Sequence, residues 1–491
     1  MTRTFHLRPL IDLKRTALSG AASLLVLAGV FATPATLACD VAAISMSFSD
    51  SGRPILWKNR DDSDSFFQGL RYYPASNPAV GGHVCMEEYF WGTGQRICSG
   101  GANESGFAVL NASVYRDTMV EEILNVDVVV MKTALEQCNS IQCFEDLLHT
   151  WNDGRPDSRD IISSNFVAMD AFGGVAMYEA SSSTFGGEVQ IVKHDANQVG
   201  FANHTNFNRF NDNPGIERRD RATALLEDLH RTGGVNPLNV MQVVAKDVCG
   251  DVDDQPANRF PTRLCISRAQ TTSAMVIEGV TPGMDPRLTT IWANVGEPSV
   301  GVFTPVFPAA QQIPDKLYGT NMGYSELNLE IVAKEHKVYD NNGAMNGLIP
   351  SPIMDTHINL DRLAGIQKIV EPIERELDKR TRNFMAQLIA NPSTISSQKL
   401  AQFQQQSAEY VYQEYVIKQR PWYNRSFSLA TVQIMLSGLA ALQNSARWAM
   451  DMYRNREALL DGTISGGEAS LRYLRRQIPV ELAALYEAFF K

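Results

Sequence analysis

The residue with the clearest chemical potential is Cys39, which directly follows Thr36-Leu37-Ala38. A signal peptidase reads small residues at such a site, so cleavage after Ala38 would make Cys39 the first residue of the mature chain. Cys39 would then carry a thiol and a free α-amine. That amine, with a reference pKa of about 7.7 to 8.0, could accept the thiol proton near neutral pH. One residue would thus supply both nucleophile and base, and no separate catalytic histidine is required.

The segment before Cys39 has the pattern of a cleaved export signal. Four basic residues lead it, namely Arg3, Arg8, Lys14 and Arg15. The apolar run over residues 17–32 follows, and it is shorter than the roughly 18 to 20 residues that cross a bilayer. We therefore expect a periplasmic or secreted protein, cleaved between Ala38 and Cys39.

A second interpretation of Cys39 is a bacterial lipoprotein acylation site, because Leu37-Ala38-Cys39 resembles the end of a lipobox. The position three before the cysteine is Thr36, where a lipobox has an aliphatic residue. The pattern therefore favours the nucleophile, with the lipid anchor as the alternative.

The other six cysteines form an even set, which fits an oxidising compartment. Their grouping along the chain suggests the pairs Cys85 with Cys98, Cys138 with Cys143, and Cys249 with Cys265. Other connectivities and buried free thiols remain open alternatives. None of the spacings is that of a metal site, so we expect no metal.

Composition limits the class of partner. The formal net charge is −10 and no long Lys/Arg block occurs, so nucleic acid is not an expected partner. No later stretch has the length and apolar character of a membrane span, so we expect a soluble globular chain with no stable membrane span. A homo-oligomer is left open.

The elements that would position Cys39 begin with a hairpin whose first strand covers residues 41–48 and whose second starts at Ile55. Further strands are expected at residues 107–112, 165–169, 174–179, 189–193, 199–203, 273–279 and 288–294. Helical periodicity marks residues 126–137, 141–151, 216–229, 238–248, 360–390, 396–418, 428–453 and 469–490. Strands interleaved with paired helices predict a layered α+β domain, and the later helices predict an all-α C-terminal region.

Four stretches, in order, resemble the cysteine branch of the N-terminal-nucleophile (Ntn) hydrolases, which includes choloylglycine hydrolases, penicillin V acylases and the isopenicillin N acyltransferase family. The first is Cys39 opening a strand, with Gly52-Arg53-Pro54-Ile55-Leu56-Trp57-Lys58-Asn59-Arg60-Asp61 as the second strand and its Asn-x-Asp ending. The resemblance implies that Asp61 holds the amine of the nucleophile.

The other three stretches lie further along the chain. Residues 101–111 resemble the family's Gly-x-Asn-x-x-Gly turn and strand, which implies that Asn111 lines the oxyanion pocket. Phe201-Ala202-Asn203-His204 implies that Asn203 donates to the oxyanion, with His204 left as structural. Residues 218–222 resemble an Arg-x-x-Arg element in which Arg218 supports the site, or Arg219 if the alignment shifts by one.

The resemblance implies a four-layer αββα core over residues 39–308, followed by the helical region 309–491. It implies an amidase or acyltransferase that acts on a small-molecule amide through a Cys39 thioester, without a cofactor. Lys58 stands where bile-salt-type members have arginine, and Cys39-Asp40 stands where Cys-Thr is usual. Lysine lacks the planar fork of arginine, so an ordinary bile-salt or penicillin V activity does not follow.

Alternative functions also remain. A dipeptidase of the same superfamily would fit Cys39, the Asn-x-Asp strand and residues 291–298. A lipid-anchored binding protein could have the fold without catalysis. The Ntn-like domain could also be only a scaffold for a helical adaptor.

Overall fold

The computed structural model describes residues 39–61, 68–90, 95–114, 126–151, 162–182, 189–210, 215–249, 259–262, 264–320, 323–340 and 357–419 of the chain. The expected export signal and the predicted helices at residues 428–453 and 469–490 lie outside these ranges. No helix within them is long and apolar enough to cross a bilayer.

The strands are β1 (Asp40–Ile44), β2 (Ile55–Asp61), β3 (Gln68–Tyr73), β4 (His83–Phe90), β5 (Gln95–Asn103), β6 (Ala108–Ser113), β7 (Ser163–Met169), β8 (Val175–Ser182), β9 (Val189–Asp195), β10 (Phe201–His204), β11 (Arg259–Pro261), β12 (Thr271–Glu278), β13 (Thr290–Asn294), β14 (Thr304–Val306), β15 (Tyr339–Asp340) and β16 (His357–Asn359).

The α-helices are α1 (Val126–Gln137), α2 (Ile141–Thr150), α3 (Ala196–Val199), α4 (Ile216–Arg231), α5 (Pro237–Asn239), α6 (Glu326–Val338), α7 (Leu360–Ala390) and α8 (Ser397–Val411). Helices α5 and α8 continue into π-helical turns at Val240–Ala245 and Tyr412–Ile417.

Two antiparallel sheets form the centre of the described fold. One has the strand order β10-β1-β2-β12-β13-β14, and the other runs in order from β3 to β9. We call them the first and second sheets. A small third sheet has the order β11-β16-β15.

Alternation along the strands of the second sheet separates its two faces. On β7, Val167 and Met169 pack in the same hydrophobic cluster as residues of β1 and β2. Their neighbours Phe166 and Ala168 pack instead with α1 and α2. Helix α4 and the π-helical turn after α5 join the cluster of the first sheet through apolar residues such as Leu226. The layers are therefore helix, sheet, sheet and helix, which is the predicted αββα fold.

The described part of the C-terminal region packs onto this sandwich. Leu363, Val370 and Leu377 of α7 belong to the same hydrophobic cluster as β1 and β2. A buried ion pair joins Lys246 Nζ to Glu374 Oε1 on α7 at 2.7 Å. Removing the Glu374 side chain alone would leave the buried Lys246 charge without its carboxylate, at a cost of about 3 to 5 kcal/mol.

The disulfides match the predicted pairs. Cys85 bonds to Cys98, Cys138 to Cys143, and Cys249 to Cys265. Since all seven cysteines lie in the described ranges, Cys39 is the one free thiol of the chain.

Strands β3, β4 and β5 were not predicted. Their sequences place charged residues on a buried sheet, including Glu87 and Glu88, which are 2% and 0% exposed. Ion pairs explain the burial, because Arg71 and Arg96 contact Glu87 while Arg60 contacts Glu88. These pairs form across strands, so local alternation could not reveal them.

Candidate functional site

Cys39 lies at the start of β1 and is 3% exposed. Its backbone nitrogen donates a hydrogen bond to Asn206 Oδ1 at 2.7 Å. In the uncleaved chain this nitrogen is the peptide amide after Ala38, and cleavage there would convert it to the α-amine. The contact therefore marks where a catalytic amine would lie.

Strand register explains why Asn206 reaches Cys39. Strands β1 and β10 are antiparallel, with Val41 opposite His204 and Ala42 opposite Asn203. The ladder ends at Val41 and His204, and two residues beyond it on each segment Cys39 and Asn206 are joined by the hydrogen bond described above. The Asn206 side chain is then held on two other sides, because Arg218 Nη2 donates to its Oδ1 at 2.9 Å and its Nδ2 donates to Ser113 O at 2.7 Å.

Arg218 links Asn206 to a pair of buried aspartates. Its Nη1 lies 3.1 Å from Asp40 Oδ2 and 3.5 Å from Asp61 Oδ2. Arg218 lies in the first turn of α4 and is 3% exposed. Its neighbour Arg219 pairs with Asp220 at the surface. The structure thus brings Arg218, and not Arg219, to the site.

Asp61 ends β2 and is fully buried. Its Oδ1 accepts from Thr271 Oγ1 at 2.6 Å, and its Oδ2 accepts from Arg268 Nε at 2.7 Å. Its backbone N–H forms a hydrogen bond that lowers the pKa of the Cys39 thiol. Asp61 is therefore beside Cys39, with its carboxylate held by Arg268, Thr271 and Arg218.

Lys58 occupies a gap in the second sheet. Strands β5 and β6 pair up to Gly100 opposite Leu110. The next pair would be Ser99 and Asn111, but Lys58 Nζ lies there instead, donating to Ser99 O at 2.7 Å and Asn111 Oδ1 at 2.6 Å. A compact ammonium on a long stem suits this gap between two strands.

Asn111 is committed to holding this ammonium. While its Oδ1 accepts from Lys58, its Nδ2 donates to Asp127 Oδ2 at 2.7 Å and to Ser164 Oγ at 3.2 Å. Both amide hydrogens are then occupied within the protein. Asn111 therefore contacts the lysine of the site and has no free donor for a substrate in this arrangement.

Burial and charge act on the thiol in opposite directions. Burial raises the pKa of the Cys39 thiol, while the nearby Lys58 and Arg60 cations lower it. Burial also lowers the pKa of Lys58 to about 8, with the charge of a Cys39 thiolate acting against that shift. Each group therefore favours the charged form of the other.

Asp40 is the buried carboxyl next to Cys39 in sequence. Burial raises the pKa of its carboxyl to about 7, against the opposing effect of Arg218. Its Oδ1 has no hydrogen-bond partner among the described residues. A carboxyl in this environment holds a proton at pH values where an exposed aspartate would not.

Asn203 lies elsewhere. It is opposite Ala42, about 10 Å along the strand from Cys39 and on the other face of the sheet. Its Nδ2 donates to Arg219 O at 2.9 Å, and its Oδ1 accepts from Thr223 Oγ1 at 3.0 Å. Asn203 thus connects β10 to α4, and Asn206 occupies the position beside Cys39 that the sequence analysis gave to Asn203.

Sequence reasoning missed Asn206 and Arg268. A signal for Asn206 was present, because Asn203-His204-Thr205-Asn206 offers two asparagines three residues apart. Choosing between them required the register of β10 against β1. Arg268 had no local signal, since it reaches Asp61 from a loop 207 residues away in sequence.

Comparison with known proteins gives only distant likenesses. No protein-family model matches the chain, and no curated protein matches it. Solved structures do match in part. An N-acylethanolamine-hydrolyzing acid amidase ortholog from Caenorhabditis elegans is 12% identical, with 49% of this chain and 92% of that chain covered and a TM-score of 0.33.

Two bacterial structures are similar to a comparable degree. Penicillin V acylase from Agrobacterium tumefaciens is 15% identical, with 55% of this chain and 86% of that chain covered and a TM-score of 0.33. A variant of the conjugated bile acid hydrolase from Clostridium perfringens is 10% identical, with 52% and 89% covered and a TM-score of 0.30.

Proposed function

We propose that this protein is an exported Ntn-type cysteine amidase or acyltransferase, whose nucleophile is Cys39 after removal of residues 1–38. The observation that carries the proposal is the setting of the one free thiol. Its own residue's nitrogen is held by Asn206, and the buried cation of Lys58 lies near its sulfur.

The thiol needs a base, because burial raises its pKa. The α-amine of the cleaved Cys39 would take the thiol proton as the sulfur attacks an amide carbonyl. The C–N bond then breaks, and the proton on the amine passes to the leaving nitrogen. A thioester joins the acyl group to Cys39. Water releases it as an acid in a hydrolase, and a second amine releases it as a new amide in an acyltransferase.

Negative charge develops on the carbonyl oxygen during the attack. Asn206 Nδ2 has two hydrogens, and Ser113 O takes one of them. The second is the donor that we assign to the oxyanion. Asn111 acts through Lys58 in this scheme, since its amide hydrogens are already bound to Asp127 and Ser164. Arg218 keeps Asn206 in place from the other side.

The substrate class proposed is a small N-acyl amide. The test is intact-mass spectrometry of the exported protein before and after incubation with a panel of amides. The panel takes in N-acylethanolamines, penicillin V, conjugated bile acids and dipeptides. Cys39→Ser serves as the matched variant, because it keeps the size of the side chain and the α-amine.

We expect a mature chain that starts at Cys39 and gains a substrate-derived acyl mass, which is absent from the Cys39→Ser chain. Hydroxylamine should remove the adduct from the wild-type chain. A native chain that retains residues before Cys39, or whose Cys39 carries diacylglycerol, would overturn the proposal in favour of an anchored protein. An adduct formed only with dipeptides would identify a dipeptidase instead.

A further inference from the structure

Asn165 is a buried asparagine of β7 that contacts the segment carrying Asn206. It is 0% exposed and shares the inner face of the second sheet with Val167 and Met169. Its Nδ2 donates to Thr205 O and to Phe207 O, each at 2.7 Å. The same nitrogen lies 3.2 Å from His204 Nδ1.

The two carbonyls that Asn165 binds are those on either side of Asn206. Strand β10 ends at His204, so residues 205–207 have left the ladder with β1. Backbone groups in such a segment need other partners when they are buried. Asn165 supplies them from the opposite sheet, and it does so at the two residues whose positions set the direction of the Asn206 side chain.

We propose that Asn165 is a positioning residue of the site. By holding the Thr205 and Phe207 carbonyls, it fixes the Asn206 amide against the Cys39 nitrogen, and so sets the reactivity of the Cys39 thiol. The inference rests on the proposed function, in which Cys39 is the nucleophile and its nitrogen is the base.

The side chain of Asn165 acts only as a hydrogen-bond donor. Its Oδ1 has no hydrogen-bond partner among the described residues. Only the NH2 group is used, so leucine of similar shape removes every contact that matters. Asn165→Ser keeps one hydrogen-bond donor, on a shorter side chain. We expect any effect on Cys39 to pass through Asn206, since the side chain of Asn165 forms hydrogen bonds with residues 204, 205 and 207.

The control is Asn103 of β5, whose amide donates in the same way to carbonyls of α1 and of the residue that follows it. It is 0% exposed, and its Nδ2 donates to Leu135 O at 3.0 Å and Cys138 O at 2.8 Å. Asn103→Leu therefore removes two buried amide-to-carbonyl bonds, as Asn165→Leu does, together with the bonds that Asn103 Oδ1 accepts from Ser105 Oγ and Phe107 N. Asn103→Leu should lose at least as much thermal stability as Asn165→Leu, and only Asn165→Leu should affect the thiol.

The experiment measures the rate of Cys39 alkylation by iodoacetamide across a pH series, using the mature exported protein. The mass added to the intact protein reports alkylation of Cys39 alone, because the other six cysteines are in disulfides. We expect Asn165→Leu to slow alkylation about tenfold and to displace its pH midpoint, since one well-placed hydrogen bond is worth about that factor. Asn103→Leu should stay within about twofold of wild type, and Asn165→Ser should lie between.

A double-mutant cycle with Asn206→Ala separates positioning from general loosening. If Asn165 acts through Asn206, then Asn165→Leu adds nothing in the Asn206→Ala background. The inference would be overturned if Cys39 is alkylated at the same rate in Asn165→Leu and wild type. It would also be overturned if the effects of Asn165→Leu and Asn206→Ala on that rate simply add. If Asn165→Leu does not fold, Asn165→Ser takes its place in the same cycle.

Alkylation needs no substrate, so this outcome is independent of the amide panel. The proposed function alone would be contradicted if no amide acylates the chain but the reactivity of Cys39 still depends on Asn165 through Asn206. The positioning role alone would be contradicted if Asn165→Leu changes neither acylation nor alkylation.

Discussion

The two asparagines of residues 203–206 give opposite predictions from sequence and from structure. We compare Asn206→Leu with Asn203→Leu, since leucine keeps the approximate shape of asparagine and removes its hydrogen bonds. The family resemblance predicts that Asn203 is the important residue for turnover. The structure predicts that it is Asn206.

The contacts set the expected magnitudes. Asn206 bonds to the Cys39 nitrogen at 2.7 Å, to Arg218 at 2.9 Å and to Ser113 O at 2.7 Å. Its loss should slow acylation about a hundredfold to a thousandfold, the usual effect of removing one preorganised oxyanion donor. Stability should fall by about 1 to 3 kcal/mol, because Arg218 keeps its two aspartate partners.

Asn203 loses two neutral bonds, to Arg219 O and Thr223 Oγ1. Each should contribute about 1 kcal/mol to the free energy of unfolding. Acylation should change by about threefold or less, as expected for a contact remote from the reacting atoms.

The assay is a single-turnover measurement of acyl-Cys39 by quenched intact mass, at a saturating concentration of whichever amide acylates the protein. Urea unfolding of each variant gives the stability term separately. Should Asn203→Leu be acylated more slowly while Asn206→Leu stays near wild type, the assignment of Asn206 to the reacting atoms would be refuted.

Two predictions concern charge at the site. Lys58→Met should raise the pH midpoint of Cys39 alkylation, because the Lys58 cation lowers the thiol pKa. Lys132→Met, at a half-buried lysine paired with Glu136, should leave the midpoint unchanged, and equal midpoints in all three proteins would contradict the role of Lys58. Asp40→Asn should gain stability relative to wild type as the pH rises from about 4 to 7. The folded pKa of about 7 exceeds the reference value of 3.8, so the folded state binds more protons in that window and wild-type stability falls as they are released. The relative gain should reach about 4 kcal/mol at most, measured by urea unfolding at each pH, and a difference that is constant with pH would count against the buried environment of Asp40.

Local patterns predicted much of this fold because they depend on neighbours in sequence. The bounds of α1 and α7 agree with the predicted residues 126–137 and 360–390, since both helices have sustained apolar periodicity. The bounds of strands β6, β7 and β8 were predicted to within a few residues, because short apolar runs between turn residues are also a local pattern. The strands β3 to β5 were missed because their buried charges are neutralised by arginines of other strands.

The site shows the same limit at the scale of single residues. The expected cleavage site located Cys39, and the family resemblance located Lys58, Asp61, Asn111 and Arg218. The structure brings these residues together, although their catalytic roles remain predictions. Spacing could not decide between Asn203 and Asn206, because a shift of three residues in a strand changes both the distance and the face. The antiparallel register of β1 and β10 pairs Asn203 with Ala42, and the hydrogen bond from the Cys39 nitrogen places Asn206 beside Cys39. A short motif that ends a strand should therefore be placed by the register of its partner strand before a role is assigned to any one of its residues.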